Sequence, residues 1–516
     1  YIRNNGIDKK TARERIAVGC NWMCVPGKEF PMNDTVKINV AKVLEEAMKD
    51  LRNEKVRSTD RLFELFEKHT KIAVEITAKG INHHLDHVWE VTPELVMNLM
   101  MKNTLEQGKD ISQCAELYTV GIDGAGLAVV MPAVFKYNMK HDYERFAKYS
   151  VASPVKAMCL LISQDCNLRC EYCFAETGDF GMGRSLMSLE TGKKAIDFLL
   201  EKSGNRENLE LDFFGGEPLM NFDVVKEIVE YARMREKEYG KNFRFTVTTN
   251  GLLLTDDKID FINKEMSNVV LSIDGRKCVN DRMRHRVDGT GCYDTIIEKF
   301  RQTVDSRGNK EYYVRGTYTK YNLDFSEDVF HLYEQGFDQI SVEPVVAPDT
   351  APYALTEKEL PAIFAEYDKL AGRLLENDKN GKHFNFFHFM LDLDQGPCAI
   401  KRLRGCGCGN EYVAISPNGD IYPCHQFVGI DEWKMGNLNE ETFDYKIKDY
   451  FASAHIYTKE ECKKCWAKFY CSGGCNANNY IYAGDVHNAY KMSCEIEKKR
   501  LECAIYMKAV KACENE

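Results

Sequence analysis

Residues 156–173 read KAMCLLISQDCNLRCEYC, an apolar run followed at once by three closely spaced cysteines. The run Lys156–Ser163 has the composition of a parallel strand that is covered on both faces. Cys166, Cys170 and Cys173 then form the pattern CxxxCxxC on the loop that leaves this strand. The stretch therefore predicts a metal-binding loop at the carboxyl end of the first strand of a parallel sheet.

Strand-like and helix-like segments alternate from this stretch to about residue 346. Five further strand candidates follow the first one: Leu209–Phe214, Phe243–Thr249, Val269–Ile273, Tyr312–Thr319 and Gln339–Glu343. Helical spacing of apolar residues marks segments between them, such as Ser188–Lys202 and Asp223–Tyr239. Six β/α units predict a partial (β/α)6 TIM barrel, with chemical groups at the carboxyl ends of its strands.

The whole chain is predicted to be α/β and to divide into three parts. Residues 1–152 suggest a small N-terminal α/β module, and residues 153–395 the partial barrel. Residues 396–516 are rich in cysteine, glycine and turns and end in a helix. A domain with so little apolar sequence of its own is usually held together by metal.

Composition and charge exclude several classes of protein. The 516 residues are 44% hydrophobic and 29% charged, which is typical of a globular protein. A net charge of −10 argues against a nucleic-acid partner, and no long apolar run predicts a membrane span. Twenty cysteines without a signal-peptide pattern predict reduced thiols in a cytoplasm. If they hold oxygen-sensitive iron–sulfur clusters, we expect that cytoplasm to be an anaerobe's.

The three cysteines of the loop can hold three corners of a [4Fe–4S] cube. The loop supplies no fourth thiolate, so one iron would stay open to an outside ligand, such as the amino and carboxylate groups of S-adenosylmethionine (SAM). A structural zinc loop is the alternative, because zinc also accepts closely spaced cysteines. The position after a first strand and before further β/α units favours the iron–sulfur interpretation.

Further candidate ligand-binding residues follow the later strands. FGGEP at 214–218 places two glycines where a backbone can approach a ligand closely, although an ordinary strand-to-helix turn would also explain it. TNG at 249–251 and SIDG at 272–275 end the third and fourth strands. The candidates at these positions and in the fifth strand are Gly215, Gly216, Glu217, Pro218, Asn250, Ser272, Asp274 and Arg315.

These motifs together resemble the radical SAM superfamily. The resemblance implies that Cys166, Cys170 and Cys173 bind the catalytic cluster and that Tyr172 packs near the adenine of SAM. It also implies that the GGEP carbonyls and Glu217 accept hydrogen bonds from the SAM ammonium group. Ser272 is expected near the SAM carboxylate or ribose. Arg315 is expected to pair with a carboxylate, or else to form an ion pair within the barrel.

A second group of cysteines resembles the SPASM extension of radical SAM enzymes. CxxCxxxxxCxxxC at 462–475 is followed by Cys494 and preceded by a CxₙGxxxxC pattern that ends at Cys424. The resemblance implies two auxiliary [4Fe–4S] clusters, hence three in all. The expected distal ligands are Cys462, Cys465, Cys471 and Cys494, and the expected proximal ligands are Cys406, Cys424 and Cys475.

The fourth proximal ligand stays open at this point. Cys408 is as good a first ligand as Cys406, and Cys398 lies just upstream. If neither serves as a fourth ligand, the proximal cluster would keep an open iron for a substrate thiolate.

Residues 154–511 resemble most closely the SCIFF peptide maturases, through the segments 212–233, 312–348, 422–430 and 465–480. These enzymes form thioether bonds in ribosomal peptides with six cysteines in forty-five residues. The resemblance implies a Cys-rich precursor peptide and a low-potential electron donor such as flavodoxin or ferredoxin. The resemblance implies that residues 1–152 bind the peptide leader. However, the segment 118–135, which resembles the opening hairpin of a leader-binding domain, leaves too little chain before Cys166 for the rest of that domain. The N-terminal part is therefore either rearranged or has another role. An anaerobic sulfatase-maturing enzyme is the alternative enzyme, and a non-catalytic carrier of several clusters is the alternative from another class.

Overall fold

The computed structural model describes residues 153–391 and 402–514, which belong to one compact unit of the chain. The predicted N-terminal module and Cys398 lie outside the described residues. None of the described helices has the length and apolarity that a bilayer crossing needs.

Six parallel strands form the barrel, and each lies within one residue of its predicted bounds. They are β1 (Ala157–Gln164), β2 (Asn208–Gly215), β3 (Asn242–Thr249), β4 (Asn268–Ser272), β5 (Glu311–Tyr318) and β6 (Gln339–Pro344). Neighbouring strands pair in chain order from β1 to β6. The predicted partial barrel is therefore confirmed.

A helix follows each barrel strand. The six are α1 (Leu189–Lys202), α2 (Phe222–Tyr239), α3 (Asp256–Glu265), α4 (Tyr293–Asp305), α5 (Phe325–Glu334) and α6 (Leu360–Lys379). Ser188 caps α1, because its hydroxyl accepts a hydrogen bond from the backbone N–H of Thr191 at 3.1 Å. Side-chain capping of this kind explains why α1 begins where its sequence predicts.

The sheet continues beyond the barrel into the C-terminal part of the chain. Four more strands are β7 (Tyr412–Ile415), β8 (Asp420–Tyr422), β9 (Gly436–Asn437) and β10 (Thr442–Phe443). The first of them pairs in parallel with the free edge of β1, with Ala157 opposite Tyr412. The other three add in antiparallel order. One sheet therefore runs across the predicted domain boundary at residue 396, which the sequence did not indicate.

Three longer helices complete the C-terminal part: α7 (Tyr445–Ser453), α8 (Asn476–Ala483) and α9 (Lys491–Glu514). Helix α9 returns to the barrel, where Arg500 Nε donates a hydrogen bond to the hydroxyl of Tyr367 on α6 at 2.8 Å. Shorter segments include the strands Leu168–Cys170, Ser185–Leu186, Arg284–Arg286 and Asn385–Phe386 and the helices Lys277–Met283, Glu460–Lys463 and Lys468–Cys471.

The main core lies between the outer face of the sheet and the helices that cover it. Phe213 on β2 and Phe245 on β3 are fully buried there, with ring centroids 5.8 Å apart. Large buried rings contribute strongly to stability because they remove the most apolar surface from water.

Phe213→Ala is expected to lower the free energy of unfolding by about 3–5 kcal/mol, because it removes a buried ring and leaves a cavity. Phe387→Ala is the matched control, since Phe387 is 49% exposed. Anaerobic urea unfolding followed by circular dichroism measures both. Equal losses for the two variants would contradict the assignment of Phe213 to the core.

Candidate active site

A cavity of about 620 Å³ opens at the carboxyl ends of the barrel strands. Its wall contains all three cysteines of the first loop, and across from them lie cysteines of the C-terminal part. The thiol-bearing residues of the wall are Cys166, Cys170, Cys173, Cys471, Cys475 and Cys494. The fold thus brings cysteines that are about 300 residues apart in the chain to one space.

The first cysteine loop is held by hydrogen bonds at its base. Arg169 Nη1 donates to the carbonyl oxygens of Cys166 and Leu168, both at 2.6 Å. Burial raises the pKa of the Cys166 thiol to about 11 and that of Cys170 to about 12. Buried thiols of this kind become thiolates when a metal binds them and displaces their protons. The loop therefore has the donors and the surroundings of a metal centre.

Two glycines bring the end of β2 against this loop. Gly215 has φ of +139°, and a Cβ on it would lie 2.2 Å from the carbonyl oxygen of Ser163. A Cβ on Gly216 would lie 2.3 Å from the carbonyl oxygen of Asp165. No larger residue fits at either position without moving the backbone. The GGEP segment is therefore a close backbone contact with the cysteine loop, and both glycines line the cavity.

Glu217 is buried and joins the ends of two strands. Its carboxylate accepts hydrogen bonds from Thr249 Oγ1 at 2.8 Å, the backbone N–H of Asn250 at 2.8 Å and that of Leu219 at 3.0 Å. Burial raises its pKa, although these donors oppose the increase. The next residue, Pro218, begins a short 3₁₀ helix. Glu217 thus positions β2 against β3, and its contact with the SAM ammonium group stays a prediction.

Asn250 links this arrangement to the cysteine loop. Its side-chain nitrogen lies 2.7 Å from Asn167 Oδ1 and 3.6 Å from Cys166 Sγ. The backbone N–H of Leu168 also donates to Cys166 Sγ, at 3.4 Å. Hydrogen bonds to a ligating sulfur tune the reduction potential of an iron–sulfur cluster. Asn250 is therefore placed to act on the first metal centre through Cys166.

Tyr172 is held by two residues rather than free in the cavity. Its hydroxyl donates to the Asp274 carboxylate at 2.7 Å and accepts from Arg284 Nη1 at 3.1 Å. Asp274 is fully buried, and burial raises its pKa to about 6. Asp274 does not line the cavity, so it supports Tyr172 from behind. No sequence pattern marks Arg284, because its place depends on the pairing of Leu168–Cys170 with Arg284–Arg286.

Ser272 and Arg315 lie opposite each other on β4 and β5, and both line the cavity. The guanidinium of Arg315 lies 3.9 Å from the carboxylate of Glu343 on β6. Glu343 also contacts Arg500 at 3.3 Å and His388 at 3.4 Å. Burial alone would raise the pKa of Glu343, but these charges lower it to about 2. Arg315 thus forms a long ion pair within the barrel while it also lines the cavity, and its pairing with a ligand carboxylate stays a prediction.

His425 is a cavity residue that sequence analysis did not select. It follows Cys424, and its ring lies 4.9 Å from that of Phe214 and 5.4 Å from that of Phe174. Its buried Nδ1 has no hydrogen-bond partner within residues 153–391 and 402–514. Burial, assisted by the charge of Arg315, lowers its pKa to about 4. A neutral imidazole with a vacant nitrogen therefore stands in the cavity wall.

The expected distal cysteines are brought together. Burial and then the charges of Cys462 and Cys465 raise the pKa of Cys494 to about 11. Burial raises the pKa of Cys471 to about 12, and the charges of Glu497 and Cys494 contribute to the increase. Lys459 is buried beside this group, where its Nζ donates to the carbonyl oxygen of Gly473 at 2.8 Å. These four thiols therefore lie near one another, and their role as one ligand set, which the resemblance implies, stays a prediction.

Four further cysteines form a second group: Cys406, Cys408, Cys424 and Cys475. The Cys408 thiol donates a hydrogen bond to Cys424 and lowers its pKa. Burial raises the pKa of Cys406 to about 11, and the charges of Cys424 and Cys475 contribute. The structure thus places Cys408 as well as Cys406 with the expected proximal cysteines.

The two groups of four thiols and the group of three supply sulfur donors, which are the ligands that iron–sulfur clusters take. Zinc takes all of its ligands at one ion, whereas a [4Fe–4S] cube takes each thiolate at a different iron. Within the described ranges, no group of three or more histidine, cysteine, aspartate or glutamate side chains is placed to hold a single metal ion.

Comparison with protein families agrees with these groups. Residues 160–309 match the model described as the radical SAM superfamily, and residues 406–466 match the SPASM iron–sulfur cluster-binding domain. The chain therefore contains a radical SAM domain and a SPASM domain. A radical SAM domain carries a [4Fe–4S] cluster that binds SAM, and a SPASM domain carries auxiliary clusters. Residues 1–133 match a third model, described as pyruvate formate lyase-like. Leader binding by that region stays a prediction.

Known relatives match more than half of the chain. The cysteine-type anaerobic sulfatase-maturating enzyme of Clostridium novyi (strain NT) is 25% identical over 351 residues, which are 63% of this chain and 89% of the relative. The radical SAM cyclopropyl synthase TigE of Paramaledivibacter caminithermalis is 21% identical, covering 70% of this chain and 76% of the relative. The names of these two relatives state different reactions, the maturation of a sulfatase and the synthesis of a cyclopropyl group.

A solved structure of native anSMEcpe with bound AdoMet and Cp18Cys peptide has the same fold. Its TM-score is 0.57 at 20% identity, over 70% of this chain and 100% of that chain. The agreement confirms the partial barrel with a SPASM extension.

Asn250→Ala is expected to lower the reduction potential of the first cluster, because the side-chain donor to Cys166 Sγ is lost. EPR-monitored redox titration of the reconstituted protein measures the shift. Asn242→Ala, at the exposed start of strand β3, which Asn250 follows, is the control. An unchanged potential in Asn250→Ala would show that this hydrogen bond does not act on the cluster.

Proposed function

We propose that the protein joins cysteine sulfurs of a ribosomally made, Cys-rich peptide to carbon atoms through thioether bonds. One observation carries the proposal: a single cavity is lined by the SAM-cluster cysteines and by Cys471, Cys475 and Cys494 of the SPASM region. The resemblance of segments 212–233 and 465–480 to the SCIFF maturases supports this reaction among those of SPASM enzymes.

The three thiol groups would each hold one [4Fe–4S] cluster. Cys166, Cys170 and Cys173 would bind the cluster that takes SAM. The distal set would be Cys462, Cys465, Cys471 and Cys494, and the proximal set would be Cys406, Cys408, Cys424 and Cys475. With SAM bound, the cluster held by Cys166, Cys170 and Cys173 would supply the radical chemistry by which a hydrogen atom is removed from the peptide.

Different residues of the cavity wall have different roles in this proposal. The close-packed backbone at Gly215 and Gly216 receives SAM, and Ser272 with Arg315 faces its polar groups. Phe174, Phe214 and His425 form an aromatic wall against which the peptide packs. Four proximal thiols leave no open iron for a substrate thiolate, so these side chains must hold the peptide sulfur near the carbon. Holding the sulfur and the carbon in place can lower the activation barrier of bond formation by up to roughly 7–11 kcal/mol.

Oxidation of a single cysteine is the second candidate. The identity of 25% to a cysteine-type anaerobic sulfatase-maturating enzyme, over 89% of that enzyme, favours it. A low-potential electron donor such as flavodoxin or ferredoxin belongs to both candidates. A non-catalytic electron carrier explains neither the three-cysteine loop nor the GGEP segment beside it.

Anaerobic incubation with SAM, dithionite and a synthetic peptide of the six-cysteine class tests the proposal. We expect 5′-deoxyadenosine, loss of two hydrogen atoms per bond, and cysteines that resist alkylation but retain their sulfur. Replacement of sulfur by oxygen and reaction with a hydrazide would instead identify the oxidised cysteine of a sulfatase maturase. No 5′-deoxyadenosine with any peptide would favour the electron carrier.

Iron analysis of the anaerobically purified protein tests the ligand sets. The wild type is expected to hold about twelve irons, and the triple variant Cys166→Ala, Cys170→Ala and Cys173→Ala about eight, at four per cube. Cys408→Ala is expected to lose iron, whereas Cys503→Ala, a buried cysteine of α9, should keep it. Full iron in Cys408→Ala would remove Cys408 from the proximal set.

A further inference from the structure

Lys459 is a buried lysine between the two C-terminal groups of cysteines. Only 1% of it is exposed. Its Nζ donates hydrogen bonds to the carbonyl oxygen of Gly473 at 2.8 Å and to Asn476 Oδ1 at 3.2 Å. Gly473 is two residues after Cys471 of the distal set and two residues before Cys475 of the proximal set. The ammonium group is therefore held where the two sets meet.

The loop between the two sets folds around this ammonium group. Its three residues Ser472, Gly473 and Gly474 have φ of +59°, +88° and +75°. A Cβ on Gly473 would lie 3.5 Å from Lys459 Nζ. Asn479 Nδ2 donates a second hydrogen bond to the carbonyl oxygen of Gly473, at 3.1 Å. Because a serine in the left-handed region is strained, contacts with the surrounding protein must hold this loop in place.

Thiols are the groups that surround the charge of Lys459. Burial lowers its pKa, and four neighbouring cysteines oppose the decrease. The four are Cys462, Cys471, Cys475 and Cys494. No carboxylate among the described residues forms an ion pair with Lys459, and burying an ammonium ion is costly unless an opposite charge is close. Neutral thiols do not supply that charge, whereas thiolates bound to a metal centre do.

We propose that the ammonium group of Lys459 balances the charge of both auxiliary clusters and raises their reduction potentials. An added electron makes a cluster more negative, and a buried positive charge nearby stabilises the more negative state. When a peptide thiolate bonds to a carbon radical, a carbon–sulfur bond forms and one electron is released. An auxiliary cluster of higher potential accepts that electron more readily and is reduced by one. The inference rests on the proposed function in assigning the thiols to clusters.

The test uses the full chain with Cys166→Ala, Cys170→Ala and Cys173→Ala, so that the auxiliary clusters are measured without the first cluster. EPR-monitored titration with dithionite, in the absence of SAM and peptide, gives their potentials. Lys459→Met removes the charge and keeps an unbranched side chain. The equilibrium constant for one-electron reduction of each auxiliary cluster is expected to fall about tenfold or more, and tenfold corresponds to about 59 mV.

Two further variants separate the charge of Lys459 from its shape and from general effects of charge. Lys459→Arg keeps the positive charge, and its potentials are expected to stay close to those of the background protein. Lys498→Met is the matched control, because Lys498 also lies near Cys465 and Cys494 but is half-buried and pairs with Glu495 at 2.8 Å. Water and salt screen a charge at such a position, so we expect a smaller shift there.

Iron content is measured for each variant alongside its potentials. Should Lys459→Met lose iron, Lys459→Gln is measured in its place, because its amide still carries a hydrogen-bond donor for the carbonyl oxygen of Gly473. Loss of iron in both neutral variants, with full iron in Lys459→Arg, would support the proposal, since the positive charge would then be what the clusters require.

Three results would overturn the proposal: unchanged potentials in Lys459→Met, an equal shift in Lys498→Met, or the same loss of potential or iron in Lys459→Arg as in the neutral variants. A background protein without auxiliary clusters would contradict the ligand sets and this proposal together. Because neither SAM nor peptide is present, failure of the thioether reaction would leave all of these measurements unchanged.

Discussion

Strand β1 is hydrogen-bonded along both edges, to β2 on one side and to β7 on the other. Because the cysteine loop begins where β1 ends, this double pairing fixes the loop between the barrel and the C-terminal part. The glycines of β2 reach the loop from one side. The strands that follow β7 lead to Cys424 and His425 on the other side. The position of every group in the cavity therefore depends on the two neighbours of one strand.

Burial of thiols is the main electrostatic feature of the site. Desolvation raises the pKa of Cys166, Cys170, Cys471 and Cys494 to about 11 or 12. Few positively charged side chains lie near these thiols. Among the described residues the buried ones are Arg284, near Cys170, and Lys459, near Cys471 and Cys494. Thiols so arranged gain most from a metal centre. The expectation that the C-terminal part has little apolar core of its own is wrong, however, because Phe427, Phe451 and Val486 form a buried cluster there with Trp433 packed against it.

Much of the fold follows from local patterns, since the runs of apolar residues in β1 to β6 set the strand bounds to within one residue. Helix α3 was not predicted, because only Ile259 and Ile262 of its ten residues are buried. The pairing of β7 with β1 was missed because it joins segments far apart in sequence. The first cysteine loop was predicted from its spacing, and the two C-terminal groups were implied by the resemblance to SPASM enzymes. Asp274 was expected to contact the cofactor, but its carboxylate accepts a hydrogen bond from the Tyr172 hydroxyl. That contact joins residues far apart in sequence and depends on the tertiary structure.

The pairing of Ala157 with Tyr412 has a consequence for biosynthesis. About 250 residues separate the two partners, so the ribosome needs on the order of ten to fifty seconds to deliver the second strand after the first. During that interval the outer edge of β1 is unpaired, and an unpaired edge is a template for aggregation. The reactive thiols of Cys166, Cys170 and Cys173 leave the ribosome in the same interval. A nascent chain of this design therefore exposes a strand edge and three free thiols until its sheet is complete.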